Sequence, residues 1–158
     1  MNTKAQRKKE SKTGAIEIIV RGVITGNQKI LLAHKKGAQN TFLPGGHINP
    51  GEAAKIALQR EIKEELGLSC KIMRYLGTVE HAFEDKDGHH QEINLIFELK
   101  VRDLDTSKPL VSRETSLEFL WQPLSKLKGI NLQPYPLREL LPKWIKYKTA
   151  TRWKSSFE

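Results

Sequence analysis

The stretch Gly46 to Leu68, GHINPGEAAKIALQREIKEELGL, leaves this chain few ways to fold. Glu61, Glu64 and Glu65 stand at i, i+3 and i+4, so a helix puts all three on one face. Leu58, Ile62 and Leu66 take the neighbouring arc. Such a helix must pack one flank on a sheet and turn the next toward a cavity. Three adjacent anions repel, and a bound hard cation removes that penalty. Oxygen-rich clusters are what Mg²⁺ and Mn²⁺ select. Asn49 and Pro50 mark the helix entry, with Glu52 near the positive end of the dipole. Gly67 is the expected left-handed cap at the far end. Ala53, Ala54 and Ala57 are small enough for close approach to neighbouring elements.

The flanking sequence supplies the sheet. Ala15 to Thr25 is rich in β-branched residues and reads as a strand. Gly26-Asn27 is turn chemistry, and Gln28 to His34 returns as a second strand, which makes a hairpin. Thr41 to Leu43 is a short strand running into Pro44-Gly45-Gly46. These paired glycines let backbone approach a ligand closely. Ser69 to Glu84 reads as a strand with a bend near Gly77, then a turn at Asp85 to Gly88. Gln91 to Val101 is a further strand, Arg102 to Arg113 a polar loop and Leu117 to Trp121 a short strand. One helical turn is expected at Pro123 to Leu127. The last helix spans Pro136 to Lys148, with Leu137, Leu140, Leu141, Trp144 and Ile145 on one stripe.

A chain of 158 residues with 38% hydrophobic content supports one domain with one core. No apolar run is long enough to cross a membrane, and Met1 to Lys12 carries no apolar segment of the secretory kind. Residues 1–12 read as a basic tail, 13–150 as the domain and 151–158 as a short C-terminal tail. The lone Cys70 cannot form an internal disulfide, which fits a cytoplasmic setting. The net charge is +9. Much of it sits at the ends, in Lys4, Arg7, Lys8, Lys9 and Lys12 and in Lys143, Lys146, Lys148, Arg152 and Lys154. Solvated termini explain this more simply than nucleic-acid binding, because no aromatic RNA-binding motif accompanies the charge.

The order of residues is more specific than the acidic face. Gly46 is followed after five residues by Glu52, and after seven more by Arg60-Glu61. Then come Ile62, one residue, Glu64-Glu65, one residue, Gly67 and Leu68. With average residue usage a random window would match this pattern roughly once in 10⁸. The chain resembles the Nudix hydrolases at every defined position of their box, which covers 23 of the 158 residues. The resemblance implies an α/β fold, a Nudix-type α/β/α sandwich with a mixed β-sheet between helices. It also implies metal-dependent hydrolysis of a nucleoside diphosphate linked to another group, with Mg²⁺ or Mn²⁺.

Carried over residue by residue, the box makes Glu61 and Glu65 the principal metal ligands, with Glu64 beside them. The Gly46 carbonyl adds a ligand as in the family. Arg60 offsets and orients the carboxylates. Its partner is either Glu64 at i+4 or Glu52, which would stand behind the ligands. The general base comes either from the box, as Glu64, or from the loop before Leu117, as Glu114. Glu92, Glu84 and Glu118 are weaker candidates. Lys35 and Lys36 follow the second strand, where many relatives place a phosphate-contacting base; Lys35 and Gly45 are the expected substrate contacts. His81, His89 and His90 flank the turn at Glu84 to Gly88 without a known metal-ligand spacing, and His47 sits at most at a cavity edge.

The box does not fix the leaving group. Family members acting on ADP-ribose often carry a proline downstream of the box, where this chain has Phe83-Glu84. A small nucleotide suits the short domain: an oxidised or normal (d)NTP, ADP-ribose or an NDP-sugar. Two alternatives compete, an RNA 5′-end pyrophosphohydrolase and a non-catalytic nucleotide sensor. A homodimer is open on sequence grounds.

Overall fold

The computed structural model describes residues 14–148. The basic runs at Lys4 to Lys12 and at Arg152 and Lys154, and with them the two expected tails, lie outside the described residues. Seven strands and two α-helices follow in the order β1 (Ile16–Gly26), β2 (Lys29–Lys35), β3 (Thr41–Phe42), β4 (Gly45–His47), α1 (Ala54–Leu66), β5 (Cys70–Asp85), β6 (Gly88–Val101), β7 (Leu117–Pro123) and α2 (Leu137–Lys146). A 3₁₀ turn, Leu124–Gly129, follows β7.

The sheet is mixed. Its main path runs β3-β2-β1-β6-β5, with β4 added on β1 and β7 on β2. The long central pairing, β1 with β6, is parallel over Ile16↔Gln91 to Ile24↔Leu99; the other pairings are antiparallel. Asn27 and Gln28 both hold positive φ, 49° and 63°, which is the backbone a tight two-residue hairpin turn requires between β1 and β2. β5 slips register between Ile72 and Arg74 and between Tyr75 and Gly77, so the expected bend is a bulge. α2 fills that bend: a methyl added to Gly77 would meet the Trp144 ring at 2.6 Å.

Strand alternation divides the core into two layers. Val20 and Ile24 of β1, Leu31 and Ala33 of β2, and Phe97 and Leu99 of β6 pack with Leu58, Ile62 and Leu66 of α1. Val23, Ile30, Leu32 and Ile96 turn the other way, toward Leu137 and Leu141 of α2. The result is the α/β/α sandwich expected from the sequence.

One local expectation needs correction, at the entry to the box helix. The helix begins at Ala54, with extended Ala53 as its cap, and not at Asn49-Pro50. Residues 49–52 instead form a turn: the Glu52 N–H donates to the Asn49 carbonyl at 3.0 Å, and the Asn49 N–H to the Glu52 carboxylate at 3.1 Å. Glu52 therefore lies just before the cap residue and outside the first helical turn. Gly45-Gly46 begins β4, because β1 offers an edge that this strand completes.

Candidate active site

Strand β4 sets the geometry of the site. Its register with β1 is Arg21↔Gly45, Val20↔Gly46 and Ile19↔His47. The ladder bonds at Pro44 and Ile48 show that alternate carbonyls of this strand face β1. The Gly45 and His47 carbonyls face away, and an arginine takes each. Arg21 Nη1 donates to the Gly45 carbonyl at 3.0 Å, and Arg60 Nη2 to the His47 carbonyl at 3.0 Å. Gly46 lies between them with its carbonyl turned toward β1. A metal binding there would share that oxygen with the ladder.

The box helix lies against this strand. A side chain at Gly46 would put its Cβ 2.5 Å from Glu61 Oε2, so only glycine lets the carboxylate lie so close to the backbone. The Gly45 N–H donates to Glu65 Oε2 at 3.1 Å. With that bond and the bond to Arg21, both backbone groups of Gly45 have internal partners. Glu65 is only 3% exposed. Burial pushes its pKa up to about 8; the Gly45 N–H and the charge of Arg21 oppose the rise, while Glu61 and Glu114 add to it.

Arg60 organises the other carboxylates. Nε and Nη2 grip the two oxygens of Glu52 at 2.8 and 2.9 Å, while Nη1 donates to Glu61 at 2.6 Å and to Glu64 at 3.2 Å. Glu52 and Glu64 thus share the guanidinium, with the two-pronged grip going to Glu52. The Arg60 bond holds the Glu52 carboxyl down to about 2. Glu61 is largely enclosed, and Glu64 is the outlier, with 52% of its side chain exposed.

Arg21 escaped the sequence reading. It sits in the apolar run IIVRGVI, where a strand buried on both faces leaves no room for an unpartnered charge. That contrast was the available signal. Its guanidinium bonds the Leu43 and Gly45 carbonyls and, through Nε, the Asn94 amide oxygen at 3.3 Å. Desolvation lowers its pKa, and Glu92, Glu65 and Glu61 raise it in that order. Asn94, fully buried, donates in turn to Glu92 at 3.1 Å.

Arg21 also lines a cavity of about 860 Å³. Lys35, Phe42, Glu92 and Tyr135 are among its walls, together with His81 to Asp85 of β5. Lys35 is the last residue of β2 and lies in this cavity wall. The box glutamates do not line this cavity; Arg21 and Glu92 link it to them by charge. Glu114 belongs to the loop before β7. The Arg113 N–H anchors that loop by donating to the Glu65 carbonyl at 2.7 Å, and Glu114 lies within electrostatic reach of Glu65.

The histidines form no metal cluster. His90 lies between Glu17 (3.0 Å) and Asp85 (3.0 Å), and both carboxylates raise its pKa, Glu17 foremost. Glu17 also meets His47 at 2.5 Å. Phe83 stacks on His90 at 4.8 Å and on His81 at 5.2 Å.

Among the described residues, no three acidic, histidine or cysteine groups converge at metal-ligand distance. The donors at the box nevertheless suit a hard cation. Glu65 is a desolvated carboxylate with a single N–H partner, and Glu61 rests on a glycine strand; both offer oxygen only. A dication between them would return Glu65 to its ionised form.

A mixed sheet between two helices, with a glutamate-rich helix docked on a glycine strand, defines an α/β/α sandwich with an acidic centre. The chain belongs to the Nudix family: the family model for the NUDIX domain matches residues 16–146. An ADP-ribose pyrophosphatase of Methanocaldococcus jannaschii is 39% identical over 89 residues, covering 53% of this chain and 50% of that protein. An RNA pyrophosphohydrolase of Escherichia fergusonii is 29% identical over 140 residues, covering 87% of this chain and 73% of that protein. The chain thus spans only half the length of the first relative. Among solved structures, the MutT protein of Methanosarcina mazei shares the fold at a TM-score of 0.66 and 24% identity, over 83% of this chain and 94% of that one. No helix among the described residues is long and apolar enough to cross a membrane.

Proposed function

We propose that the protein is a pyrophosphohydrolase that uses Mg²⁺ or Mn²⁺ to cleave the phosphoanhydride of a nucleoside diphosphate linked to another group. The observation that carries this reading is the buried Glu65 carboxylate beside Glu61 and the Gly45-Gly46 strand, inside an intact box. Glu61 and Glu65 would hold the cation, with Glu64 at its solvent side and the Gly46 carbonyl as a shared ligand. A divalent cation held by these residues would supply charge neutralisation for phosphate oxygens and a more acidic water.

The chain's own residues do the rest. Arg60 keeps Glu52 ionised and fixes the direction of Glu52 and Glu61. Arg21 holds the Gly45 end of β4 in place. Lys35, in the cavity wall, offers a cation to the far phosphate. Glu114 is the general base we favour over Glu64, because it sits near buried Glu65 while Glu64 opens to solvent.

The substrate favoured is a small nucleotide in a cytoplasmic setting: a normal or oxidised (d)NTP, ADP-ribose or an NDP-sugar. A second reading is hydrolysis at RNA 5′ ends. It is favoured by the extent of the match to the RNA pyrophosphohydrolase, which covers most of this chain. A purely non-catalytic sensor would have no use for the complete Arg60–Glu52–Glu61 arrangement. The test is a phosphate-release screen of the purified protein with Mg²⁺ and with Mn²⁺, over these nucleotides, dinucleoside polyphosphates and capped or triphosphorylated RNA. Hydrolysis that stops under EDTA supports the proposal; hydrolysis untouched by EDTA, or none on any substrate, refutes it.

A further inference from the structure

The segment Gln133 to Pro136 is the common wall of two cavities. On one side lies the 860 Å³ cavity with Arg21 and Lys35; on the other lies a second cavity of about 520 Å³. Tyr135 and Pro136 line both. Lys128, Arg138 and Lys143 bring three cationic groups to the second cavity against one acid, Glu139.

The wall is held in place. The Gln133 N–H donates to the Thr41 carbonyl at 2.8 Å, and the Leu137 and Arg138 N–H groups close turns onto Pro134 and Tyr135. Arg138 Nε bonds the Leu132 carbonyl, and its Nη2 the Asn131 side chain. Arg138 is therefore a fastener of the wall, while Lys128 and Lys143 remain exposed. Tyr135, between two prolines, is 68% exposed. An aromatic ring held out on a braced loop loses little conformational freedom when something stacks on it.

We propose that Tyr135, Lys128 and Lys143 bind single-stranded nucleic acid continuing from a nucleotide seated in the larger cavity. The inference rests on the catalytic reading above and gives its RNA branch a surface. Charge sets the direction of exit. The β5 part of the larger cavity carries Glu80, Glu84 and Asp85, which repel a phosphate backbone. The Tyr135 wall carries no acid and opens onto lysines. A base stacks on the Tyr135 ring while the two ammonium groups take backbone phosphates, the usual pairing for single strands. A free mononucleotide ends before this surface and gains nothing from the lysines.

The test is direct binding of a short fluorescent 5′-monophosphorylated RNA to the full chain, by anisotropy across a salt series. The Lys128→Glu/Lys143→Glu double variant should weaken binding at least about tenfold. It should also flatten the salt slope by roughly 1.4, two single-strand phosphate contacts. The double reversal Lys71→Glu/Lys100→Glu, equal in charge and lining neither of the two cavities, should weaken binding less than about threefold. Tyr135→Ala should cost about tenfold and Tyr135→Phe little. Equal loss from both lysine pairs, or no loss from Lys128 and Lys143, overturns the proposal. The same variants are then assayed on triphosphorylated RNA and on a nucleoside triphosphate. RNA binding that follows this pattern in a protein that hydrolyses no phosphoanhydride would leave the surface standing and remove the enzymatic reading.

Discussion

Arg60 and Arg21 grip the two ends of one three-residue strand along the same edge, and their surroundings differ in kind. Arg60, on α1, holds three carboxylates and one carbonyl at a partly open surface. Arg21, on β1, holds two carbonyls and an amide, and meets carboxylates only through space. Around Arg60, charge is met by charge. Around Arg21, one cation stands near Glu92, Glu65 and Glu61 without a direct bond to any of them. Glu65 is thus left under-compensated, whereas Glu52 is held firmly ionised. The site keeps a carboxyl that burial holds in its protonated form where a cation would bind, and uses its ion pairs to hold the frame.

The sharpest way to break this comparison is to neutralise the acids on each side. Glu65→Gln and Glu61→Gln should each lower turnover at least about 100-fold with the fold intact, measured as kcat alongside Tm. Glu64→Gln, at the open rim, should cost less than about tenfold. Equal losses at all three positions would erase the distinction between enclosed and open carboxylates.

The next effect is on stability without metal. Glu65 has a folded pKa of about 8 against 4.5 in the unfolded chain. A raised acid pKa means that the folded state binds the extra proton. Its contribution is complete below about pH 4.5 and is lost as pH rises through 8, at most roughly 5 kcal/mol in all. In EDTA, urea midpoints should therefore fall between pH 6 and 9. Saturating Mg²⁺ should flatten the fall, and so should Glu65→Gln. A metal-free protein whose stability rises over that range would contradict the burial argument.

Sequence alone exposed the centre of this site and missed its supports. The box residues were legible because their spacing is periodic and local, so Glu61, Glu65, Arg60 and the Gly67 cap could be placed on one helix. Gly67 does hold φ 71°. The start of α1 was misjudged because Asn49-Pro50 closes a separate turn with Glu52, and that competes with capping. β4 was hidden because its partner edge lies some 25 residues upstream in β1. The same holds for the parallel β1–β6 pairing, which no local pattern announces. Arg21 was legible only as an anomaly in an apolar strand; its partners come from two distant segments, Leu43 and Gly45 from one and Asn94 from the other.

The two arginines should also differ in stability. Arg21→Ala leaves two carbonyls and the Asn94 amide without their charged donor in a buried setting, and should cost about 3 kcal/mol. Arg60→Ala acts at a site that water reaches and should cost about 1 to 2 kcal/mol at neutral pH. Because the Glu52 pKa is depressed to about 2, its share is present above about pH 4.5 and disappears as pH falls through 2. Wild type and Arg60→Ala should therefore converge in acid, whereas wild type and Arg21→Ala should stay apart. Convergence of both pairs would mean that the Arg21 bonds to carbonyls matter less than its distant carboxylates.

The smallest effect isolates the rim. The Arg60–Glu64 pair is an i, i+4 contact at 3.2 Å with an exposed acid, and Arg60 keeps its grip on Glu52 when Glu64 is removed. Such pairs contribute about 0.3–0.5 kcal/mol. Glu64→Ala should thus shift stability by no more than about 0.5 kcal/mol in urea denaturation, and added salt should shrink the difference further. A loss above about 1.5 kcal/mol would show that Arg60 needs all three carboxylates to hold its position. The frame would then extend to the solvent edge, and the contrast between a paired surface centre and a lean buried one would no longer describe the site.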